Sequence, residues 1–367
     1  ASTKWAFGAW SQAEGWPTHV TFFRERLAVL RGSQAWFSVP ADYENFAQRD
    51  AGVIAADSAF SVDFRSGSND TISWVMGSSD LLIGTEGGEL SISEISNSEP
   101  FGPGNAAPLS GPGFGSRRVM PVNVNESVFY VQNTGKKLRE LRFTSGSDGY
   151  ASFDRTVLSS HIAKGKIIQL AYQKEPNSII WGCCANGDLI GFTFEAEHDV
   201  QGWHKHPLGG VFGSGQAVVE SISVIPSPDM ERDQLWIIVK RTINGQTRRY
   251  VEFMEAEWDV DEDDEEDMFF VDSGLTRNGV ATATIGGLFH LEGESVNVLA
   301  DAAIVGPYTV TSGAIQLAVA AEVTHAGLAY TATLQSMQLN QLGTVSRIVR
   351  GFAKLLGAVG LKFGPAE

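Results

Sequence analysis

Cysteine is almost absent from this chain. The two cysteines among its 367 residues are the neighbours Cys183 and Cys184, whereas a disulfide framework needs spaced pairs. The sequence therefore predicts no disulfide, and reduced thiols as in a chain made in a cytosol. Both residues lie in an apolar run before Asn186-Gly187, where a buried cysteine usually serves as a small hydrophobic residue.

Long apolar runs and a positive net charge are also missing. No run approaches the ~20 residues that span a bilayer, so no membrane-spanning segment is predicted. The chain has neither a secretory signal nor an initial Met, and we expect a processed or excised piece of a longer chain. Its net charge is −16, which argues against a phosphate-binding surface but permits a conduit through which nucleic acid passes without sticking.

The usual sequence signatures of nucleotide, acyl-transfer and zinc chemistry are lacking. There is no Walker P-loop, no G-x-S-x-G, no H-E-x-x-H and no C-x-x-C. Residues 102–107 imitate a G-x-G-x-x-A turn, but Pro108 follows and no helical pattern begins there. The sequence predicts no cofactor and no enzymatic activity from these motifs.

An acidic run, residues 255–267, resembles the start of a calcium loop. It has the D-x-D-x-D spacing from Asp259 onward, but Asp264 stands where an EF-hand needs Gly, and Phe270 where it needs Glu. We therefore predict no specific metal site, although loose binding of divalent cations stays open. Such a block of like charges is typical of a solvated linker.

Two smaller groups of residues are candidates for chemistry. Asp42 and Glu44 would share one face of a strand and resemble the carboxylate pair of a glycosidase, whereas a polar turn is the alternative. His204 and His206 would share a face and chelate a metal. Because Asp199 is the one additional ligand close in sequence, we favour a hydrogen-bonding surface loop there.

Glycine and aromatic residues are abundant. The 40 Gly, 21 Phe and 9 Trp, with few helical patterns, predict an all-β protein with many turns. The clearest strand pattern lies at residues 15–46. Apolar runs at 20–23, 27–30 and 35–39 are separated by turns, as in a small antiparallel sheet. The predicted core includes Leu27, Val29, Trp36, Leu82, Ile180, Trp181, Trp236 and Ile238. Every Trp except Trp203 and Trp258 is expected in the core.

Hairpin turns recur along the chain. Turn glycines at 32, 87, 135, 187 and 245 are spaced by roughly 50 residues, which is typical of propeller blades. We predict a β-propeller-like array of about five or six antiparallel hairpin blades, and a β-sandwich with regular hairpins is the alternative. Residues 101–115 are expected to form a surface loop, and residues 154–162 a short helix with Asp154 as its N-cap.

The acidic run marks the strongest change in composition. Ten of its thirteen residues are Asp or Glu, so we place a domain boundary there. The predicted organisation is a propeller-like domain at 1–254, the acidic linker at 255–267, a small β-barrel or sandwich module at 268–335, and a C-terminal segment at 336–367 that returns to the body as a strand.

Several motifs, in order, carry a family resemblance. They are GAWS at 8–11, GWP at 15–17, FFRERLAVLRGSQAWFSV at 22–39, DYENF at 42–46, LLIGTEGGELSI at 81–92, IIWGCCANGDLIGFTFEAEHDVQGWHKH at 179–206 and LWIIVKRTINGQTRRYVEFM at 235–254. The chain resembles the tail nozzle (tail tubular protein B) family of short-tailed bacteriophages. Residues 287–306 resemble a small β-module that phage proteins share with ubiquitin-activating enzymes. The motif residues, all expected to be structural, are Gly15, Trp16, Pro17, Arg26, Leu27, Trp36, Ser38, Asp42, Tyr43, Asn45, Phe46, Gly87, Glu89, Trp181, Gly187, Trp203 and His204.

The resemblance implies a structural virion protein of a phage or prophage tail. Such a protein is made in the bacterial cytoplasm, joins other tail proteins, and forms a ring, typically sixfold, through which the genome is ejected without specific DNA binding. The alternative is a carbohydrate-binding or carbohydrate-cleaving β-propeller, such as a tail-associated lectin or depolymerase. The alternative predicts that Asp42, Glu44 and Trp203 converge in one pocket.

Overall fold

The structure is a computed structural model that describes residues 9–48, 52–64, 71–146 and 148–334. Within these ranges the chain forms strands and four short 3-10 helices, at Ile162–Gly165, Ala196–His198, Glu265–Asp267 and Phe289–Leu291, and it has no α-helix. The all-β prediction is confirmed. No helix in the described ranges is long and apolar enough to cross a membrane. The predicted C-terminal strand at 336–367 and the indole of Trp5 lie outside the described residues.

Most strands belong to sheets whose strands follow one another in chain order. The first sheet contains β1 (His19–Phe23), β2 (Arg26–Arg31), β3 (Gln34–Phe37) and β4 (Phe60–Asp63). The second contains β5 (Ile72–Gly77), β6 (Leu81–Thr85), β7 (Glu89–Ser93) and β8 (Ala107–Ser110). The third contains β9 (Val122–Val124), β10 (Ser127–Val131), β11 (Leu138–Thr144) and β12 (Gly149–Asp154). The fourth contains β13 (Ile167–Gln173), β14 (Ile179–Cys184), β15 (Leu189–Glu195) and β16 (Val200–His206).

The remaining strands build shorter or rearranged sheets. A two-stranded hairpin joins β17 (Val211–Phe212) and β18 (Gly215–Gln216), and a fifth, three-stranded sheet contains β19 (Val218–Pro226), β20 (Asp233–Ile243) and β21 (Gln246–Phe253). The last sheet contains β22 (Asp272–Ile285), β23 (Ser295–Ala300), β24 (Ala303–Thr309) and β25 (Ile315–Leu328), in the spatial order β22-β25-β23-β24. Five consecutive blade-like sheets thus agree with the predicted array.

The predicted turns connect adjacent strands. Gly32 (φ 55°), Gly135 (φ 79°), Gly187 (φ 90°) and Gly245 (φ 70°) all adopt the left-handed conformation that hairpin turns require. The turn between β1 and β2 achieves the same with Arg24 (φ 48°) and Glu25 (φ 59°), which are unusual residues for that region. The geometry of these turns, together with the hydrophobic pattern of the strands, sets the strand register.

By density of contacts the chain divides into two compact units. One comprises Ala1–Tyr172, Ser178–Ala185 and Phe192–Trp203, and the other comprises Gln173–Asn177, Asn186–Gly191 and His204–Glu367. This division passes through the fourth sheet. The boundary predicted at residues 255–267 and the four predicted segments stay predictions.

In the first unit, neighbouring sheets share apolar cores. Phe37 stacks on Phe60 at 4.8 Å, and Phe101 meets both rings edge-on, within a cluster that also holds Leu81 and Ile83 of the second sheet. A second cluster joins the second and third sheets. Its members are Trp74, Leu82, Val128, Tyr130 and Leu141. Packing between successive sheets therefore combines aromatic and aliphatic side chains.

The predicted surface loop at residues 101–115 is wrong in part. Phe101 is buried in the first core, and Ala107–Ser110 forms the outermost strand of the second sheet, with Pro108 opposite Ile92. Proline lacks the amide proton that a central strand donates, but an edge strand tolerates it.

The predicted helix at residues 154–162 is wrong. Asp154 ends β12, and its Oδ1 accepts hydrogen bonds from the Thr156 amide at 2.9 Å and the Thr156 hydroxyl at 2.6 Å. A short 3-10 turn appears only at Ile162–Gly165. Asp154 therefore caps no helix, because its side chain closes a local turn that competes with helix formation.

The predicted core is confirmed for Val29, Trp36, Leu82, Ile180 and Trp181, which are all buried. Leu27 and Trp236 are half-buried. Ile238 is 36% exposed, and Trp16 is exposed as well, so the sequence placed both wrongly.

A buried ionic network ties β20 and β21 to the start of β22 within the second unit. Arg241 is fully buried; its Nε donates to the Gly209 carbonyl at 2.8 Å, and its guanidinium pairs with Glu252. Asp272 accepts a hydrogen bond from the Gly209 amide. Burial raises the pKa of the Asp272 carboxyl to about 6, against the opposing effects of that amide and of Arg241.

Asp272→Asn should change the pH dependence of stability. A carboxyl whose folded pKa exceeds its unfolded value binds its proton more tightly in the folded state, so the contribution of Asp272 to stability is lost as pH rises from about 4 to about 6. The loss amounts to about 3 kcal/mol at most, at ~1.4 kcal/mol per pKa unit. Asn keeps an acceptor for Gly209 and lacks the proton. Urea unfolding across this pH range should show the variant gaining on the wild type as pH rises, whereas a parallel profile would contradict the assignment. Asp42→Asn, in an exposed turn, controls for the loss of one charge.

Candidate functional site

The part of the resemblance at residues 15–46 folds around Arg31. Gly15 (φ 92°) closes a turn that is bridged to Ser11. Arg31 donates to the Ala9 carbonyl at 2.9 Å and to the Gly15 carbonyl at 2.7 Å, while its guanidinium lies 5.4 Å from the Trp36 ring centre. The segment before β1 is thereby fixed to the outer face of the first sheet, and Pro17 leads it into the strand.

Aromatic rings fill the space beneath this segment. Trp10 meets Trp36 edge-on at 5.9 Å and Phe46 at 4.8 Å. Such edge-to-face pairs add to the gain from burial alone. The first sheet is therefore apolar on both faces, with one face in the first core and the other covered partly by its own flanking segments.

The segment after β3 forms a polar turn. The Val39 amide donates to the Asn45 carbonyl at 2.9 Å, and the Asn45 side-chain amide donates to Asp42 Oδ2 at 3.1 Å. Asp42 and Glu44 are exposed in this turn. Asp42 and Glu44 thus lie in a polar turn, which was the alternative to a catalytic carboxylate pair.

Part of the outer face stays open. Trp16, Val20, Phe22 and Tyr43 each expose between 42% and 65% of their surface, and we call this group the first-sheet surface. Phe22 and Tyr43 meet edge-on at 5.0 Å, so the group is a contiguous patch at that point. Apolar side chains clustered at the surface mark protein contact sites more often than scattered ones do.

Arg26 holds the loops below the first sheet. It is buried, and its guanidinium donates to the carbonyls of Ser38 (2.6 Å), Ser58 (2.9 Å), Ala56 (3.1 Å) and Phe101 (3.3 Å). Burial lowers the pKa of this guanidinium, although arginine stays protonated in proteins. One charged side chain thus links β2 to three separate segments.

The motif serines and glycines also serve the fold. Ser38 Oγ accepts from the Leu27 amide at 2.9 Å and donates to the Val39 carbonyl. Gly87 lies in the turn between β6 and β7, where the Thr85 hydroxyl bridges the turn.

Glu89 is buried between the second and third sheets. Its Oε1 accepts from the Ser116 hydroxyl at 2.9 Å, and burial raises its pKa. Burial also raises the pKa of Tyr130, whose hydroxyl lies 2.9 Å from Ser152 Oγ. Arg139 binds the same Ser152 Oγ at 2.8 Å. The group is a connected polar network inside an apolar core, and such networks specify which surfaces pair.

The fourth sheet holds the remaining motif residues. Trp181 is buried in β14, and Gly187 leaves space that the side chain of Val218 fills. Trp203 stacks on Phe192 at 4.7 Å and donates from Nε1 to the Arg155 carbonyl at 2.7 Å. All these residues have packing or turn-forming contacts.

The two histidines lie in a strand, so the predicted surface loop is wrong. His204 and His206 occupy alternate positions of β16, with Nδ1 and Nε2 2.7 Å apart. Burial lowers the pKa of both, that of His206 to about 4. Lys205 points elsewhere and pairs with Asp188 at 2.9 Å. The described residues contain no group of three or more His, Cys, Asp or Glu placed to hold a metal.

Sequence reasoning missed the buried arginines. Arg26, Arg139 and Arg241 are all buried, and composition alone did not indicate this. The sequence signal that could have identified them is their position. Each occupies an inward-facing position of its strand, and the next residues of the strand on that face are apolar. An arginine in such a register needs internal acceptors.

Two pockets in the described part of the chain bear on the glycosidase hypothesis. A shallow pocket of about 190 Å³ is lined by Arg142, Arg155 and Phe194, among others, and another of about 230 Å³ lies beside Phe60. Neither is lined by Asp42, Glu44 or Trp203.

Comparisons with known proteins give distant likenesses. No family model and no curated protein matches the chain. It is similar to the N-terminal domain of Nup159 (13% identity, TM-score 0.31), over 83% of this chain and 87% of that one. A Bacteroides fragilis protein named as exported matches over 60% of this chain and 64% of its own, under two thirds of its length, with 9% identity and a TM-score of 0.27. A Staphylococcus aureus phage tail fibre matches over 64% of this chain and 49% of its own, with 9% identity and a TM-score of 0.16. None of these shows a function for this chain.

Proposed function

We propose that this chain is a structural protein of a short bacteriophage tail and forms part of the distal tube or nozzle ring through which the genome is ejected. The observation that carries the proposal is the first-sheet surface. Residues 15–46, which carry part of the resemblance, build most of a sheet held by Arg26 and Arg31 and present Trp16 and Phe22 to solvent. A rigid apolar surface suits permanent contacts with copies of itself or with other tail proteins.

The distribution of positive charge supports a conduit. Seven basic residues on or beside hairpins are buried or bound to acceptors within the described chain. They are Arg24, Arg26, Arg31, Lys137, Arg139, Arg241 and Arg249. A cation that is buried or already bound within the protein offers little to a phosphate, so a genome would slide past such a surface.

Purified protein should bind duplex DNA weakly even at low salt. A groove that neutralises about 6–10 phosphates binds strongly at roughly 50 mM salt and loses affinity steeply as salt rises. Because the basic side chains are engaged and the chain carries −16, we expect no saturable binding in a fluorescence anisotropy titration. Tight binding with a steep salt slope would contradict the conduit and favour a DNA-binding function.

Virions provide the direct test of the function. We expect the chain among the proteins of purified phage or induced prophage particles by mass spectrometry, and antibody label at the distal end of the tail. Particles that lack the chain would refute a virion role. The carbohydrate hypothesis has less support, since its three candidate residues line neither described pocket.

A further inference from the structure

Two stretches of the last sheet carry no charged residue. Residues 278–291 and 302–321 contain no Asp, Glu, Lys or Arg, although such residues make up 19% of the chain. They supply much of β22, β24 and β25. On a chain of net charge −16, this is an unusual surface.

The stretches expose large apolar side chains. Val280, Phe289 and Val319 are each between 73% and 88% exposed. Val280 and Val319 lie where the β22–β25 register shifts, between the pairs Asn278↔Val323 and Thr284↔Gln316. Bulges of this kind redirect side chains and end regular pairing, so the exposure is a consequence of the backbone geometry.

Arg277 fixes the bulge that carries Val280. Its guanidinium donates to the carbonyl of Val280 and to those of Ala321 (3.4 Å) and Glu322 (3.1 Å). The Arg277 guanidinium therefore binds backbone carbonyls of both β22 and β25. The bulge is braced, and Val280 is held outward.

Two of the acidic residues at the other borders, Glu292 and Asp301, are engaged in the same way, whereas Glu322 is exposed. Glu292 accepts from the amides of Ser312 at 2.8 Å and Gly313 at 2.7 Å, and Asp301 accepts from the amide of Val323 at 2.9 Å. Phe289 lies over Gly313, where a Cβ would approach the ring within 2.4 Å. The carboxylates of Glu292 and Asp301 thus bind backbone amides and stabilise the local backbone conformation.

We propose that the charge-free surface of the paired strands β22 and β25, formed by the exposed side chains of residues 278–285 and 315–321 with Val280 and Val319 among them, binds a second copy of this chain. Two copies of net charge −16 repel each other, and association is least opposed where neither copy presents charge. The buried centres of interfaces are likewise depleted of charged residues. A basic partner would instead be matched by acidic side chains, which are absent here. The inference rests on the proposed function, since a tail ring requires self-association.

Sedimentation velocity of the full chain over a range of concentrations tests the proposal. We expect association that strengthens as salt rises, because screening weakens the repulsion between acidic copies. Val280→Asp and Val319→Asp should each weaken it at least tenfold. Leu158→Asp is the matched control, because Leu158 is 93% exposed outside the surface, and it should associate like the wild type. Thermal unfolding verifies that the variants remain folded.

Three results would overturn the proposal. One is a chain that stays monomeric at every concentration and salt. Another is equal association of the Val280→Asp and Leu158→Asp variants. The third is association abolished by Phe22→Asp on the first-sheet surface but unaffected by Val280→Asp, which would move the interface and leave the tail function standing. Absence from virions would refute the function without altering the sedimentation result, so the two failures are distinguishable.

Discussion

Replacing Arg26 with methionine should lower the free energy of unfolding by about 3–5 kcal/mol. Methionine fills similar space but donates no hydrogen bond, so the carbonyls of Ser38, Ser58, Ala56 and Phe101 lose their donor. Each unsatisfied buried group costs about 1–3 kcal/mol, and the removal of a buried charge offsets part of that cost. Urea unfolding followed by tryptophan fluorescence measures the change.

Arg24→Met is the matched control for that measurement. Arg24 lies two residues away in the same hairpin, is exposed, and pairs with Glu94 at 3.0 Å. An exposed ion pair contributes about 0–1 kcal/mol, so the control should unfold nearly like the wild type. Arg26→Lys should fall between the two, because an ammonium cannot reach four carbonyls in the geometry of a guanidinium. Equal stability of Arg26→Met and Arg24→Met would show that the buried arginine is not a clamp.

The strands and turns were readable from sequence because their signals are local. A glycine with positive φ between two short apolar runs determines a hairpin almost by itself, as at Gly32 and Gly187. The all-β class and the repeated sheets followed from these turns. The polar turn at Asp42 could be predicted for the same reason. The residues around Asp42 are typical of such a turn, so the sequence already offered it as the alternative to a glycosidase pair.

The direction of side chains was harder to predict. In β20, Leu235, Ile237 and Val239 are buried, whereas Ile238 faces outward. A run of consecutive apolar residues contains no alternation, so the inward parity cannot be read from it. Arg241 completes the inward series two positions on, and its charge conceals the pattern. Only its acceptors, Glu252 and the Gly209 carbonyl, explain its place.

The surfaces proposed for contacts depend on long-range pairing. Trp16 looked like a core residue by composition, but the segment before β1 turns its ring outward while Trp10 takes the inner place against Trp36. Val280 is exposed because of a bulge in β22. Arg277 holds this bulge by hydrogen bonds to residues over forty positions away in the sequence. No periodicity within one strand carries that information.

Replacing Trp74 with alanine should lower the free energy of unfolding by about 3–5 kcal/mol, as expected for a large aromatic residue removed from a core. Trp74 is buried among Leu82, Val128 and Tyr130. Its Nε1 has no hydrogen-bond partner among the described residues, so the loss is one of packing and burial. Chemical unfolding measures it, and Trp16→Ala, which truncates an exposed indole, should change little.

Gly84 provides a sharper test of the same contact. A Cβ added at Gly84 would lie 2.2 Å from Trp74 Cε2 and 2.6 Å from Ser116 Oγ, closer than any real contact. Gly84→Ala alone should therefore cost about 1–3 kcal/mol through overpacking. In the Trp74→Ala background the clash with the indole disappears and only the contact with Ser116 Oγ remains, so the same substitution should cost less, and the two changes should not be additive. Full additivity in the double-mutant cycle would mean that the indole does not lie on Gly84, and would contradict the contact between the paired strands β5 and β6.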